Sequence, residues 1–212
     1  MKKYIPYKEI EELLIKEGVY KPKVAEKKGR PPYPSKVLVG ALFLQAWYGL
    51  SDPMTEELIY DRLSFRKFLD IKVDDDIPDE TTICNFRNAL IDQILFDKIF
   101  DIVKRVMIAN NLIFKEGSIV DATLIHSSKP KRKKDTDTNI ISNKAADSDA
   151  SYTSKRGRKY LRFKIHIASD TNGMIKEVVT TTAKEADINW LDNLTKEEEN
   201  FVFADRTSIC IY

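Results

Sequence analysis

A helical first half followed by a mixed α/β sheet is the fold class this sequence predicts, and three observations predict it. Apolar residues recur at helical spacing from Ile5 to Met107. Beyond Gly117 the period changes to β-rich runs, SIVDATLI, YLRFKIHIASD and MIKEVVTTT. The order of the later segments (strand, polar stretch, hairpin, helix, strand) lets one sheet collect them all. With 212 residues, 42% of them hydrophobic, the chain has material for one or two cores.

The elements follow in order. Ile5, Ile10, Leu13 and Leu14 mark a short amphipathic helix ending at Gly18. A linker rich in proline and cations, Lys21 to Pro34, cannot continue it, and Ser35 is placed to cap the next helix. Lys36 to Gly49 is nearly all apolar, as a helix buried on most sides would be. Asp52-Pro53 reads as an N-cap with proline at the first helical position, opening a helix through Glu57, Ile59 and Leu63. Phe65, Phe68 and Leu69 continue the apolar packing, and Asp74, Asp75 and Asp76 form an acidic loop. Asp79 caps a third helix, Glu80 to Leu90, and a longer one runs from about Gln93 to Asn110.

In the second half, Ser118 to Ile125 reads as an interior strand. Ser127 to Ser154 is polar, lacks a sustained apolar period, and is expected to be a loop or insertion. Asn172-Gly173 between Tyr160–Asp170 and Met174–Thr182 predicts a hairpin. Glu185 to Glu199 is expected to be helical, and NFVFAD to be a further strand ending in Asp205. No internal repeat is visible.

Composition excludes some function classes. Cys84 and Cys210 lie far apart with no Cys or His spacing around them, which argues against a disulfide scaffold or zinc knuckle and for a reducing, cytoplasmic setting. The longest apolar run, Val37 to Leu50, is too short to span a membrane. Lys+Arg 35 against Asp+Glu 33 gives a net charge of +2, so a nucleic-acid partner must be argued from where the charge sits. It sits unevenly: Ser127 to Lys164 holds twelve Lys/Arg and four Asp. Lys131, Arg132, Lys133, Lys134, Arg158 and Lys159 are phosphate-contact candidates, although charge runs are also simply solvated surface.

Two aspartates on strands, Asp121 and Asp205, carry the strongest chemical suggestion. Carboxylates from adjacent strands can share divalent cations, because Mg²⁺ prefers hard oxygen ligands, and such sites perform phosphodiester chemistry. Aspartates at strand ends also cap helices and solvate turns, so spacing alone leaves both readings open. Lys164 and His166, two residues apart, share a strand face that can meet phosphate, or a buried one. The third helix resembles the recognition element of a helix-turn-helix unit, with Thr81, Thr82, Asn85 and Arg87 as base-reading types.

These residues belong to a longer succession of blocks: GRPPYPSKVLVGALFLQAWYGLSDPMTEELIYDRLSFRKFL, IPDETTICNFRNAL, IVDATLI, DSDASYTSKRGRKYLRFKIHIASD, VVTTTAKEADINWLDNL and VFAD. Over about residues 30 to 206 the chain resembles bacterial insertion-sequence transposases of the DDE class, in the branch with an InsH-type N-terminal domain. The resemblance implies a helical DNA-end-binding and assembly domain over residues 1–112, helix-turn-helix-like in character. It further implies a ribonuclease-H-like catalytic domain over residues 113–212, carrying a basic, disordered insertion at 127–156. The expected partners are double-stranded DNA, as terminal inverted repeats and target, and a second transposase chain in a homodimer or a heterodimer with a full-length copy. The expected setting is cytoplasmic and nucleoid-associated, with no membrane.

In that family three acids hold two Mg²⁺. Asp121 in IVDATLI matches the first and Asp205 in VFAD the second. The third is a glutamate well downstream, and this sequence stops seven residues after Asp205, so the expectation is an incomplete ribonuclease-H-like sheet and a catalytically impaired copy. The alternative is a non-catalytic DNA-binding protein that occupies element ends.

Overall fold

The computed structural model describes residues 2–22, 31–114, 117–126, 133–134, 141–142, 151–155, 158–195 and 201–204. The chain divides into two compact units, Met1–Met107 and Ile108–Tyr212.

The first unit is helical. Helix α1 (Tyr7–Lys16) buries Ile10 and Leu14, the stripe expected from its spacing, and turns out at Gly18 with φ 74°. Helix α2 (Ser35–Tyr48) is the centre of the unit. Leu38 and Val39 pack with Ile10, Leu14, Phe86, Leu90 and Ile102, while Val37, Ala41 and Leu44 pack with Ile59, Phe65 and Leu69. An apolar run without a polar face is thus required from Val37 to Leu44, where α2 separates two cores, while its last turn leaves Trp47 and Tyr48 exposed. Burying each side chain of those cores contributes roughly 1.5–3 kcal/mol before entropy is counted. Gly40 lets the next layer close: a Cβ there would stand 2.5 Å from Leu69 Cδ2.

Two caps differ from expectation. Ser35 is the first residue of α2, and its hydroxyl donates to Glu11 Oε2 at 2.8 Å instead of capping. Helix α3 (Asp52–Asp61) is capped by Ser51, whose Oγ accepts from Met54 N, because the Asp52 carboxylate is engaged across the unit with Arg87. The helix does not continue through Leu63: Arg62 is extended (ψ 111°) and α4 (Leu63–Leu69) starts afresh. Arg66, only 7% exposed, then holds the chain beyond α4, donating to the carbonyls of Tyr60, Lys72 and Val73. Helix α5 (Glu80–Asp92) starts as expected at Asp79, whose carboxylate accepts from Thr82 N at 2.6 Å. Helix α6 (Phe96–Ala109) follows.

The second unit is a mixed sheet. Strand β1 (Ser118–His126) lies between β5 (Arg158–Ser169), antiparallel, and β7 (Val202–Ala204), parallel. The far edge of β5 pairs with β6 (Ile175–Thr182), so β5 and β6 form the hairpin that Asn172-Gly173 predicts. Its turn is fixed by Asp170, fully buried, whose carboxylate accepts from the backbone of Asn172, Met174 and Phe114. Gly173 takes φ 79°, where a side chain would be strained.

The expected irregular insertion at 127–156 contains regular pairing. Strand β2 (Lys133–Lys134) pairs with β3 (Ile141–Ser142), and β4 (Ser151–Lys155) pairs antiparallel with the start of β5. SYTSK carries Tyr and Thr beside an unfilled edge of β5, and strand pairing satisfies that backbone. The helix expected over residues 185–199 is also shorter. A 3-10 turn at Asp187–Trp190 leads into α7 (Leu191–Leu194), which stops because Thr195 is extended and its hydroxyl donates to Leu191 O. Leu194 closes a small core with Val120 and Ala168.

Candidate functional site

Side chains alternate across a strand, so β1 presents two different surfaces. Val120, Ala122 and Leu124 point to the face packed by α7, where Ala122 stands opposite His166 on β5 and Leu124 opposite Lys164. Ile119, Asp121, Thr123 and Ile125 point the other way and are exposed. Asp121 is therefore held by a central strand yet open, with its Oδ1 accepting from Ala122 N at 2.7 Å. On the other edge of β1 the parallel register sets Ser118, Ile119 and Val120 beside Val202, Phe203 and Ala204. Val120 and Ala204 are partners, and the residue after each in sequence is an aspartate. Asp205 itself lies outside the described residues.

Lys164 and His166 are not on the surface that carries Asp121. His166 is 1% exposed beneath the sheet, with Nε2 3.0 Å from Thr181 Oγ1 and the ring stacked near Trp190. Its Nδ1 lies 3.2 Å from Asp187 Oδ1, and that same oxygen is 2.5 Å from Lys164 Nζ. Lys164 also donates to Glu185 O at 3.1 Å. Burial pushes the His166 pKa below its ordinary value; Asp187 and Glu185 oppose this and Lys164 adds to it. The pair is thus a tie between β5 and the segment after β6, correcting the expectation that it faces phosphate. Sequence spacing identified the shared face but not which of the two faces it was. The partners Asp187 and Thr181 carried no local signal.

The helix-turn-helix expectation also changes. Residues 70–79 separate α4 from α5, a longer connection than the 3–4-residue turn of that motif. Arg87 Nη2 donates to Asp52 Oδ2 at 2.7 Å, Nη1 also pairs with Asp52, and Gln45 Oε1 accepts at 3.2 Å. This bidentate grip raises the Arg87 pKa and holds the Asp52 carboxyl down to about 2. Arg87 is a brace between α5 and α3, not a free base reader. Thr81 and Asn85 are exposed, while Thr82 gives its backbone N–H to the cap. Of the basic candidates, Lys133 and Lys134 form β2, Arg158 and Lys159 open β5, and Lys131 and Arg132 lie outside the described residues.

Comparison with known families decides what the open aspartate belongs to. Residues 1–89 match the family described as Transposase domain (DUF772), and residues 113–208 match the Transposase DDE domain. The chain belongs to the insertion-sequence DDE transposases. No solved structure matches this transposase. The two matched segments lie wholly within the helical unit and the sheet unit respectively. DDE transposases generally depend on a divalent metal, and Asp121 suits one: an exposed carboxylate supplies the hard oxygen that such ions prefer. His166, buried on the opposite face, does not. Among the described residues no group of three or more His, Cys, Asp or Glu side chains is placed to hold a metal, and no helix is long and apolar enough to cross a membrane.

Proposed function

We propose that this transposase binds duplex DNA at the terminal inverted repeats of its insertion sequence and cuts and rejoins strands with Mg²⁺ held by Asp121 and Asp205. The observation that carries the reading is the β1–β7 register, which pairs the two residues immediately preceding these aspartates. The sheet order supports a ribonuclease-H-like catalytic domain: β6, β5 and β1 run as an antiparallel series and β7 adds in parallel on the far side of β1. Bound Mg²⁺ would activate the attacking oxygen and stabilise the leaving oxygen of an in-line phosphodiester displacement. Asp121 contributes a carboxylate fixed by its own strand and exposed to an incoming backbone. In the displacement a water or 3′-hydroxyl oxygen forms the new P–O bond as the old P–O bond breaks, and the departing 3′-oxygen takes the proton.

The test is strand cleavage on a duplex bearing the element's own terminal repeat, with Mg²⁺ or Mn²⁺. Weak metal-dependent nicking by the wild-type chain, as befits a catalytically impaired copy, is expected, and Asp121→Ala should abolish it with duplex binding retained. Equal nicking by Asp121→Ala would overturn the assignment. Binding without nicking in any metal would favour the alternative of a DNA-binding protein that occupies element ends.

A further inference from the structure

The helical unit separates its charge. Residues 74–80 read DDDIPDE, five acids without a cation, and lead into the first turn of α5. Glu56 adds another carboxylate at the same place, accepting from Glu80 N at 2.6 Å. Duplex DNA carries a negative charge about every 1.7 Å of its axis, so this helix end repels it. A different corner attracts it. There the 3-10 turn Lys2–Tyr4, the start of α2 and the end of α4 gather Lys2, Lys3, Lys36 and Lys67. Lys2 Nζ donates to Lys67 O at 3.1 Å and pairs with one oxygen of Asp70, while Lys36 pairs with the other. Lys3 and Lys67 are exposed, and the Lys2 and Lys36 side chains keep 35% and 38% of their surface. One carboxylate shared by two ammonium groups leaves a surplus of positive charge. Lys2 and then Lys36 hold the Asp70 carboxyl below the usual carboxylate range, so it stays charged.

We propose that this corner, formed by Lys2, Lys3, Lys36 and Lys67 around Asp70, is where the helical unit grips the phosphate backbone of duplex DNA, with Asp70 competing against phosphate for Lys2 and Lys36. The inference rests on the DNA-binding reading above and moves the contact away from α5. Contacts of this kind fix position on the duplex and carry no sequence information. Asp70 keeps the two lysines gathered when no duplex is present, at the cost of affinity when one arrives.

Fluorescence anisotropy of the full chain with a labelled duplex, repeated over a range of salt concentrations, tests this. Asp70→Asn keeps a residue tolerated at φ 56° but removes the competing charge. It should tighten binding about fivefold near 0.1 M salt and steepen the log–log salt slope by about one. A merely structural Asp70 predicts equal or weaker binding. Lys36→Gln with Lys67→Gln should weaken binding about tenfold or more and flatten the slope by about two, whereas Thr81→Ala with Asn85→Ala should change neither. Far-UV circular dichroism shows whether each variant is folded; if Asp70→Asn is not, the lysine pair, both on the surface, decides. Unchanged affinity and slope in the lysine variant overturn this inference alone. Failure of the wild-type chain to bind duplex at any salt overturns the DNA-binding reading and this inference with it.

Discussion

The Arg87–Asp52 pair shows what a half-buried guanidinium does in this unit. Its two parallel bonds to one carboxylate bring α5 to α3, and Gln45 extends the network to α2. Arg87→Ala leaves Asp52, whose side chain is 18% exposed, without its main partner. A loss of about 1–2 kcal/mol in thermal or urea unfolding of the helical unit is expected, with duplex affinity unchanged. The pair also sets an acid limit. Asp52 titrates near 2 in the folded chain against an ordinary 3.8, so its contribution is complete above about 3.8 and disappears as the pH falls toward 2. In Arg87→Ala that acid loss should vanish from the pH dependence of the melting temperature. Asp121 behaves differently. It is exposed, among the described residues its carboxylate accepts from the next backbone N–H, and its substitution should change chemistry without changing the fold.

At the level of elements, α2 is the member least able to accept change. Gly40→Ala puts a Cβ 2.5 Å from Leu69 Cδ2, an overpacking that should cost about 1–3 kcal/mol. Leu69→Ala in the same chain should recover part of that loss, read as coupling in a double-mutant cycle. The first three turns of α2 were legible in the sequence, since a run with no polar face has to be surrounded, but its last turn was not, because Trp47 and Tyr48 are exposed there. The β5–β6 hairpin was legible too, because Asn172-Gly173 between alternating runs leaves few other outcomes. Strand β4 was not, since SYTSK becomes a strand only when β5 offers an edge, a non-local fact. Likewise Asp52 looked like a cap because Asp-Pro usually starts helices, and the distant Arg87 that claims it cannot be seen from spacing. The strand carrying Asp121 was readable as a strand. The surface to which Lys164 and His166 point was not, since alternation fixes which residues share a face and leaves open which face is packed.

Across the whole molecule the two units should respond to acid at different points. His166 is buried with its pKa below the ordinary 6.5, so the unfolded chain takes up its proton first. The sheet unit therefore loses stability as the pH falls below about 6.5, whereas the helical unit keeps its Asp52 contribution until below about 3.8. Hydrogen exchange between pH 7 and pH 5 should show protection falling first in β5 and β6, and His166→Gln should remove that early step. Equal loss in both units would contradict it. The pairing of Ser118–Val120 with Val202–Ala204 has a consequence for time as well as place. The β5–β6 hairpin closes a short loop, but β7 must return across most of the unit to lie beside β1, and long closures are slow. During synthesis, then, Asp121 sits on a strand that already has its neighbour β5 well before β7 has left the ribosome. On the proposed pairing of Asp121 with Asp205, cleavage that needs the second strand would be withheld from the nascent chain by the order in which its parts become available.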